Sequence, residues 1–267
     1  GPCMPLPRCG PRFIMGEFDE TAVRLPPNEV RVMRYYQHLT VAAVVGALAC
    51  GRAEQASYSD AVTADPDHYA VEFENDAVRV VRANYGPGES SVMHTHPAHC
   101  AVALNDATWR MKNPAGEVAE LSTPMGEVVC VEEGAHLPEN TTGAAGEVVI
   151  IETKAAAPGT STSTVPDAVT ADPAHYSVEW EDDAVRLVRA NYGPGELSVL
   201  HHHPAYCFVA INDGMWQMTD SAGVATELPT THGQFACVPA EVHQPQNMGA
   251  EAGQAVLIEF KGRETVE

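Results

Sequence analysis

The sequence predicts an all-β protein built from two tandem domains of the same fold. The stretch at 60–154 returns without a gap at 167–261, and about 55 of the 95 positions are identical. Within each copy, short alternating or β-branched runs are separated by Gly, Pro and Asn-Asp turn signals. Apolar stripes with a 3.6-residue period are too short for crossover helices, which excludes a doubly wound α/β fold.

The repeat also gives the domain boundaries. We expect domain 1 at 58–155 and domain 2 at 166–267, joined by a linker of small residues, Ser and Thr at 156–165. Many short strands, such as "VRVVRANY" and "GEVVIIETK", in about 95 residues are typical of a small barrel or sandwich.

The charge balance and hydropathy exclude several classes of partner. Lys and Arg number 15 against 36 Asp and Glu, a net charge of −21, so we expect no nucleic acid partner. No apolar run reaches the roughly 18 residues of a transmembrane helix, so we expect no membrane-spanning segment in the mature form.

Residues 33–57 read as a leader. Arg34 is followed by an apolar stretch at 39–49, and "ALAC" ends it as a small-x-small cleavage site before Cys50. We therefore expect an exported protein, periplasmic or anchored through a lipid on Cys50, and interpret 1–32 as a non-native or disordered extension. The alternative is a cytoplasmic protein with a disordered N-terminal arm.

A histidine pair in domain 1 predicts a metal site. In "SVMHTHPAHC", His94 and His96 are two residues apart, so on a strand both imidazoles point to the same side. His136 lies 40 residues beyond His96 and could complete a group of three. The intervening Thr95 points the other way.

Domain 2 repeats this pattern in "SVLHHHPAYC". His201 and His203 correspond to the first pair, and His243 again lies 40 residues further on. His202 stands where domain 1 has Thr95, so we expect it to face outward and to be unnecessary for the site. The six histidines predict one divalent metal ion per domain.

The context of these histidines resembles the cupin family. Five residues separate Gly88 and Gly195 from the first histidine of each pair, as in the first cupin motif. The H-x3-N ending of the second motif is present as His136 with Asn140, and again as His243 with Asn247. The resemblance covers both repeats and implies a bicupin: two jelly-roll-like β-barrels with three-histidine metal sites.

The sequence departs from the cupin pattern at the usual glutamate. That glutamate follows the second histidine after three or four intervening residues, where domain 1 has Cys100 and Ala101 and domain 2 has Cys207 and Phe208. The second motif also has Glu132 for its proline in domain 1 and Glu241 for its glycine in domain 2. A site without the carboxylate leaves more charge on the metal and favours a small anionic or enolisable partner.

The resemblance leaves function open among three classes. Three-histidine cupins include iron-dependent dioxygenases, so one interpretation is a metal-dependent dioxygenase. The alternatives are a non-catalytic protein that binds metal or a small ligand, and a metal-dependent isomerase or lyase of sugar acids. The ligand set does not choose among Fe, Mn, Cu, Zn and Ni, and the activity of both sites and homo-oligomer formation stay open.

Four cysteines match between the repeats and have three interpretations: Cys100 with Cys130, and Cys207 with Cys237. They could be small core residues, or disulfides within each domain, which the cupin fold permits because the strands that carry them are neighbours. Cys100 and Cys207 could instead replace the missing glutamate as soft metal ligands. Asn140 and Asn247 are expected to bond backbone groups rather than substrate.

Overall fold

The computed structural model describes residues 57–267; the predicted leader and Cys50 lie outside the described residues. The described part consists of eighteen strands and two one-turn helices, α1 (Ala61–Ala64) and α2 (Ala168–Ala171), which confirms the all-β prediction. No helix in it is long and apolar enough to cross a bilayer.

The two repeats form the same strands in the same order. The strands of domain 1 are β1 (Tyr69–Glu74), β2 (Val78–Tyr85), β3 (His94–His96), β4 (His99–Ala103), β5 (Ala107–Lys112), β6 (Val118–Thr123), β7 (Val128–Val131), β8 (Gly134–Asn140) and β9 (Gly146–Thr153). Those of domain 2 are β10 (Tyr176–Glu181), β11 (Val185–Tyr192), β12 (His201–His203), β13 (Tyr206–Ala210), β14 (Gly214–Asp220), β15 (Ala225–Thr230), β16 (Phe235–Val238), β17 (Glu241–Asn247) and β18 (Gly253–Phe260).

Each domain is a pair of antiparallel sheets. In domain 1 the five-stranded sheet has the order β1-β2-β9-β4-β7 and the four-stranded sheet the order β3-β8-β5-β6. Domain 2 has β10-β11-β18-β13-β16 and β12-β17-β14-β15. Inside domain 1, Tyr69, Tyr85 and Ile150 of the larger sheet pack with Trp109 of the smaller one. Alternation along the strands therefore gives each domain an inner core between its sheets.

The short helix before β1 fixes the chain beside the histidine strand. Asp60 caps α1, its carboxylate accepting from the Thr63 backbone N–H and from the Thr63 hydroxyl. Asp60 also forms a parallel bridge with Thr95, in the middle of β3. Asp167 repeats both arrangements in domain 2, where it caps α2 and bridges to His202.

The two domains pack through the outer faces of their five-stranded sheets. Val80 and Ile151 of domain 1 belong to one buried apolar cluster with Leu187 and Ile258 of domain 2. Reciprocal hydrogen bonds flank this cluster. Arg82 Nη2 donates to the Gly233 carbonyl at 2.7 Å, and Arg189 Nη2 donates to the Gly126 carbonyl at 2.5 Å.

The repeat-matched cysteines form disulfides, Cys100–Cys130 and Cys207–Cys237. Each bond joins directly opposite residues of neighbouring strands, β4 with β7 and β13 with β16. All four cysteines lie in or against the apolar cluster between the domains. The metal-ligand interpretation of Cys100 and Cys207 is therefore wrong, because their sulfur atoms are bonded and face away from the barrel interior.

Candidate metal centres

The sheet register brings the three predicted histidines of domain 1 together. β3 pairs with β8 so that His94 lies directly opposite His136, and His96 follows two residues along β3 on the same side. The candidate ligand nitrogens of the three side chains all lie within 4.8 Å of one another. His94 and His96 are fully buried, and His136 is half-buried.

Domain 2 builds the same group. His201 lies opposite His243 across β12 and β17, His203 shares their side of the sheet, and the ligand nitrogens again lie within 4.8 Å of one another. All three side chains are buried. The structure thus brings all six predicted histidines together in two groups of three.

The first two histidines of domain 1 are oriented by their Nδ1 atoms. His94 Nδ1 donates to the Val92 carbonyl at 2.9 Å, and His96 Nδ1 donates to Glu152 Oε1 at 2.8 Å. Carbonyl and ionised carboxylate oxygens only accept, so Nδ1 carries the proton and Nε2 keeps its lone pair. His201 and His203 repeat this with the Val199 carbonyl and Glu259 at 2.8 and 2.7 Å.

These lone pairs fit a metal cation. His201 Nε2 and His203 Nε2 lie 3.0 Å apart, close to the spacing of two ligands at right angles about an ion with bonds of about 2.1 Å. His96 Nε2 and His243 Nε2 are buried and have no hydrogen-bond partner among residues 57–267. A shared cation would satisfy all of these nitrogens.

Burial keeps the ligand candidates in the neutral form that metal binding requires. Burial and the neighbouring His96 lower the pKa of His94 to about 4. In domain 2, burial, followed by the charges of His203 and His243, lowers the pKa of His201 to about 3. Both imidazoles are therefore unprotonated at neutral pH.

A carboxylate that the sequence analysis missed supports the second histidine of each group. Glu152, on β9, is 2 % exposed and also accepts from Arg79 Nε at 2.5 Å, while Arg79 pairs with Asp60. Burial raises the pKa of Glu152, but its hydrogen bonds with His96 and Arg79 outweigh that effect, so the net shift is downward. Glu152 is therefore ionised and holds His96 in place.

The same relay exists in domain 2, where Glu259 joins His203 to Arg186. None of the predicted ligands is a carboxylate, but one ligand in each domain is hydrogen-bonded to a carboxylate. In each domain, a buried carboxylate therefore lies directly behind the second histidine. The sequence carries a signal for this carboxylate, because Glu152 in "GEVVIIETK" and Glu259 in "GQAVLIEFK" stand at matched positions of the repeat.

Tyr69 places a hydroxyl at the edge of the domain 1 group. Its Oη lies 3.1 Å from His94 Nε2 and accepts a hydrogen bond from the Tyr85 hydroxyl at 2.7 Å. Burial and the adjacent Tyr85 raise the pKa of Tyr69 well above its usual value. Tyr69 therefore stays protonated and offers a donor next to any group held by the histidines.

We expected His202 to face outward, but the structure buries its side chain. It points away from His201 and His203, but it is only 7 % exposed. The chain entering α2 covers it, since Asp167 bridges to His202 and the His202 backbone N–H donates to the Pro166 carbonyl.

Asn140 bonds backbone groups, as expected. Its amide donates to the Gly86 and Ala144 carbonyls, and its Oδ1 accepts from the Thr142 backbone N–H. Asn247 makes the equivalent bonds in domain 2. Both residues hold the turn after the strand that carries the third histidine.

Comparison with known proteins identifies the fold. The sequence matches no protein-family model and no curated protein. Among solved structures, AerE from Microcystis aeruginosa is 13 % identical over 73 % of this chain and 93 % of that chain, with a TM-score of 0.50. A Bacillus subtilis oxalate decarboxylase variant is 16 % identical over 74 % and 76 %, with a TM-score of 0.47. A cupin 2 conserved barrel domain protein from Leptotrichia buccalis is 10 % identical over 72 % and 88 %, also at 0.47.

The chain has the bicupin fold. The duplicated double-sheet domains, each with three convergent histidines, agree with the resemblance seen in the sequence motifs. At these identities the likeness concerns the fold and not the reaction.

The two domains of this bicupin differ in the space beside the histidines. In domain 1 a cavity of about 520 Å³ is lined by His136 together with Tyr69 and His99. In domain 2 the equivalent cavity, lined by His203 and His243, measures about 80 Å³. Only the first cavity is large enough for an organic molecule of more than a few atoms.

The third histidine also has different surroundings in the two domains. In domain 2, Glu241 Oε1 lies 2.9 Å from His243 Nδ1 and accepts from the Tyr206 hydroxyl at 2.8 Å. Domain 1 has Gly134 and His99 at the positions of Glu241 and Tyr206. The bicupin therefore places a second carboxylate beside the histidine group of domain 2 only.

Proposed function

We propose that this bicupin is a metal-dependent dioxygenase that acts on a small anionic or enolisable substrate, with one divalent ion held by the three histidines of each domain. The observation that carries the proposal is the convergence of three imidazoles, two of them with an unprotonated Nε2, without a carboxylate among the ligands and beside an open cavity. Three protein ligands leave coordination positions free for substrate.

The protein's own groups have separate roles in this proposal. His94, His96 and His136 bind the ion, and Glu152 holds His96 in the binding orientation. Tyr69 donates a hydrogen bond to negative charge that develops beside His94. The apolar cavity walls exclude water from the reacting groups.

A redox-active ion bound there would supply Lewis acidity and electron exchange with dioxygen. Both atoms of dioxygen would enter the organic product, so the reaction needs no separate reductant. Glu152 is already engaged by His96 and Arg79 and is not a free base. That arrangement favours oxidation over the proton abstraction that an isomerase or lyase requires.

The test is metal analysis of untagged protein, followed by oxygen-uptake measurements on the iron- and copper-loaded forms. Enolates, diketones, flavonols, aromatic hydroxy acids and thiols form the substrate panel. We expect two metal ions per chain and oxygen uptake with at least one chelating anion. Tight ligand binding without oxygen uptake would instead establish a binding protein, and equal turnover with zinc would establish a hydrolase, lyase or isomerase.

We also propose that the mature protein is exported and begins near Cys50. The two disulfides support this, because such bonds persist in oxidising compartments. Mass spectrometry of native material should find an N-terminus at or near Cys50. A terminus at Gly1 or Met33 in most of the protein would contradict export.

A further inference from the structure

One matched position on the strand after the histidine pair differs in the direction that the cavity sizes require. Ala101 on β4 lines the cavity of domain 1, and Phe208 on β13 lines that of domain 2. The two residues are equivalent in the repeat. Phe208 packs against the inner core of domain 2, so its ring occupies space that is open in domain 1.

The residue opposite has changed in the compensating direction. Across β4 and β7, Ala101 faces Val129, whereas across β13 and β16 Phe208 faces Ala236. A small–large pair in one domain thus corresponds to a large–small pair in the other. Exchanges that conserve volume are the ones a packed core tolerates best, so Phe208 is an integrated part of domain 2.

A second matched position closes the domain 2 group from the other side. Gly134, which lines the domain 1 cavity, has no atom within 4 Å of the place a Cβ would take. Its equivalent, Glu241, is held by Tyr206 and extends to His243. Domain 1 therefore has open space where domain 2 has a carboxylate beside its third histidine.

The walls of the domain 1 cavity specify the rest of the ligand. They are predominantly apolar: Trp109, Met111, Leu121, Val129, Val148 and Ile150. Among the polar groups of the lining, the Tyr69 hydroxyl lies 3.1 Å from His94 Nε2, and the His99 ring centroid lies 4.8 Å from that of His96. The carboxylates in the lining belong to Glu117, Glu127 and Glu132. A fully polar dianion would leave these walls in contact with water, whereas an apolar body would bury them.

We propose that domain 1 alone holds the organic ligand, and that this ligand joins a chelating anionic head group to an apolar body. The head group lies at His136 and its two partners, and the body lies between Trp109 and Ile150. Domain 2 binds its metal behind Phe208 and Glu241 and takes no ligand of this size. The inference rests on the proposed function only for the metal that holds the head group.

The experiment titrates the full-length chain, loaded with two zinc ions, with hydroxamates from acetohydroxamate to octanohydroxamate. Hydroxamates chelate as bidentate anions, the series changes only the apolar body, and zinc has no redox chemistry with dioxygen. Calorimetry gives the number of sites and their affinities, and zinc content is measured on the same samples. We expect one length-sensitive site per chain, with affinity rising about fourfold for each methylene.

Two reciprocal variants assign that site to a domain. Ala101→Phe/Val129→Ala gives domain 1 the strand pair of domain 2, and it should lose the length-sensitive site while keeping both zinc ions. Phe208→Ala/Ala236→Val/Glu241→Gly/Tyr206→His gives domain 2 the domain 1 residues at these four positions, and it should gain a second such site. Circular dichroism verifies that each variant is folded. If one variant does not fold, the other alone tests which domain holds the site.

Three results would overturn the inference in chains that hold two zinc ions. They are two length-sensitive sites in the unaltered chain, no dependence on length, or an unchanged site in the Ala101→Phe/Val129→Ala variant. If the chain binds no zinc, both the proposed function and this inference are wrong. If it binds hydroxamates as expected but consumes no oxygen with the substrate panel, only the proposed oxidation is wrong.

Discussion

At the scale of single residues, two histidines of one strand decide whether domain 1 can hold a metal. Replacing His94 and His96 with Ala should halve the metal content of the chain, because domain 2 has its own ligand set. Elemental analysis after dialysis measures the result. His202→Thr, which installs the residue that domain 1 carries, is the control and should keep full metal content. Retention of both ions in the double variant would show that the histidine assignment is wrong.

The carboxylate behind His96 should affect affinity rather than stoichiometry. Glu152→Gln removes the charged acceptor of His96 Nδ1, and we expect the metal affinity of domain 1 to fall about 10- to 100-fold. Competition with a calibrated chelator measures it. Glu259→Gln should have the same effect in domain 2, while the exposed Glu74→Gln should have none. Unchanged affinity in both buried variants would leave the relay with a structural role only.

At the scale of elements, each disulfide joins an edge strand of a five-stranded sheet to the strand next to it. Cys100→Ser/Cys130→Ser should lower the free energy of unfolding by about 2–4 kcal/mol, because the unfolded chain loses a cross-link. Denaturant titration measures the loss. Metal content should not change, since the sulfur atoms face the other domain and not the histidines.

The matched change Cys207→Ser/Cys237→Ser should cost a similar amount. Loss of metal from only the altered domain would show that the strand pairing β4–β7 or β13–β16 positions the histidines after all.

The elements were predictable because their signals are local. The repeat and the two-residue alternation gave the all-β fold, and H-x-H on a strand gave the paired ligands. The third histidine followed from the 40-residue spacing that both repeats share, although only the register of β3 with β8 shows that His94 and His136 are opposite each other. That Asn140 bonds backbone groups was also predicted.

The remaining features depend on contacts between distant strands. Glu152 contacts His96 across 56 residues of sequence, so charge and periodicity alone gave it no partner. His202 is covered by a segment that enters from the linker. The state of the cysteines stayed open because β4 and β7 become neighbours only when the sheet forms. Phe208 was identified only as a residue that stands where cupins usually have a glutamate, so its effect on the cavity was not predicted.

At the scale of the whole molecule, the two domains share a buried apolar cluster, so the linker is not their only connection. Inserting a protease site after Ser161 and cutting there should leave the two halves associated. We expect size-exclusion chromatography to show the mass of the uncut chain under native conditions and separate halves in denaturant. Adding Arg82→Ala and Arg189→Ala to the cut chain should weaken the association. Separate elution of the native halves would mean that the shared cluster does not stabilise the pair.

The reciprocal bonds of Arg82 and Arg189 have a consequence for the history of the chain. Each arginine reaches the same carbonyl position in the opposite repeat, which is the signature of an isologous contact between two identical subunits. We infer that the ancestor was a single-domain homodimer that already buried this face, and that gene fusion joined the two copies. In a homodimer every substitution appears in both copies of the histidine site at once. Fusion released the copies from that constraint, so a ring such as Phe208 could close one site while the other stayed open.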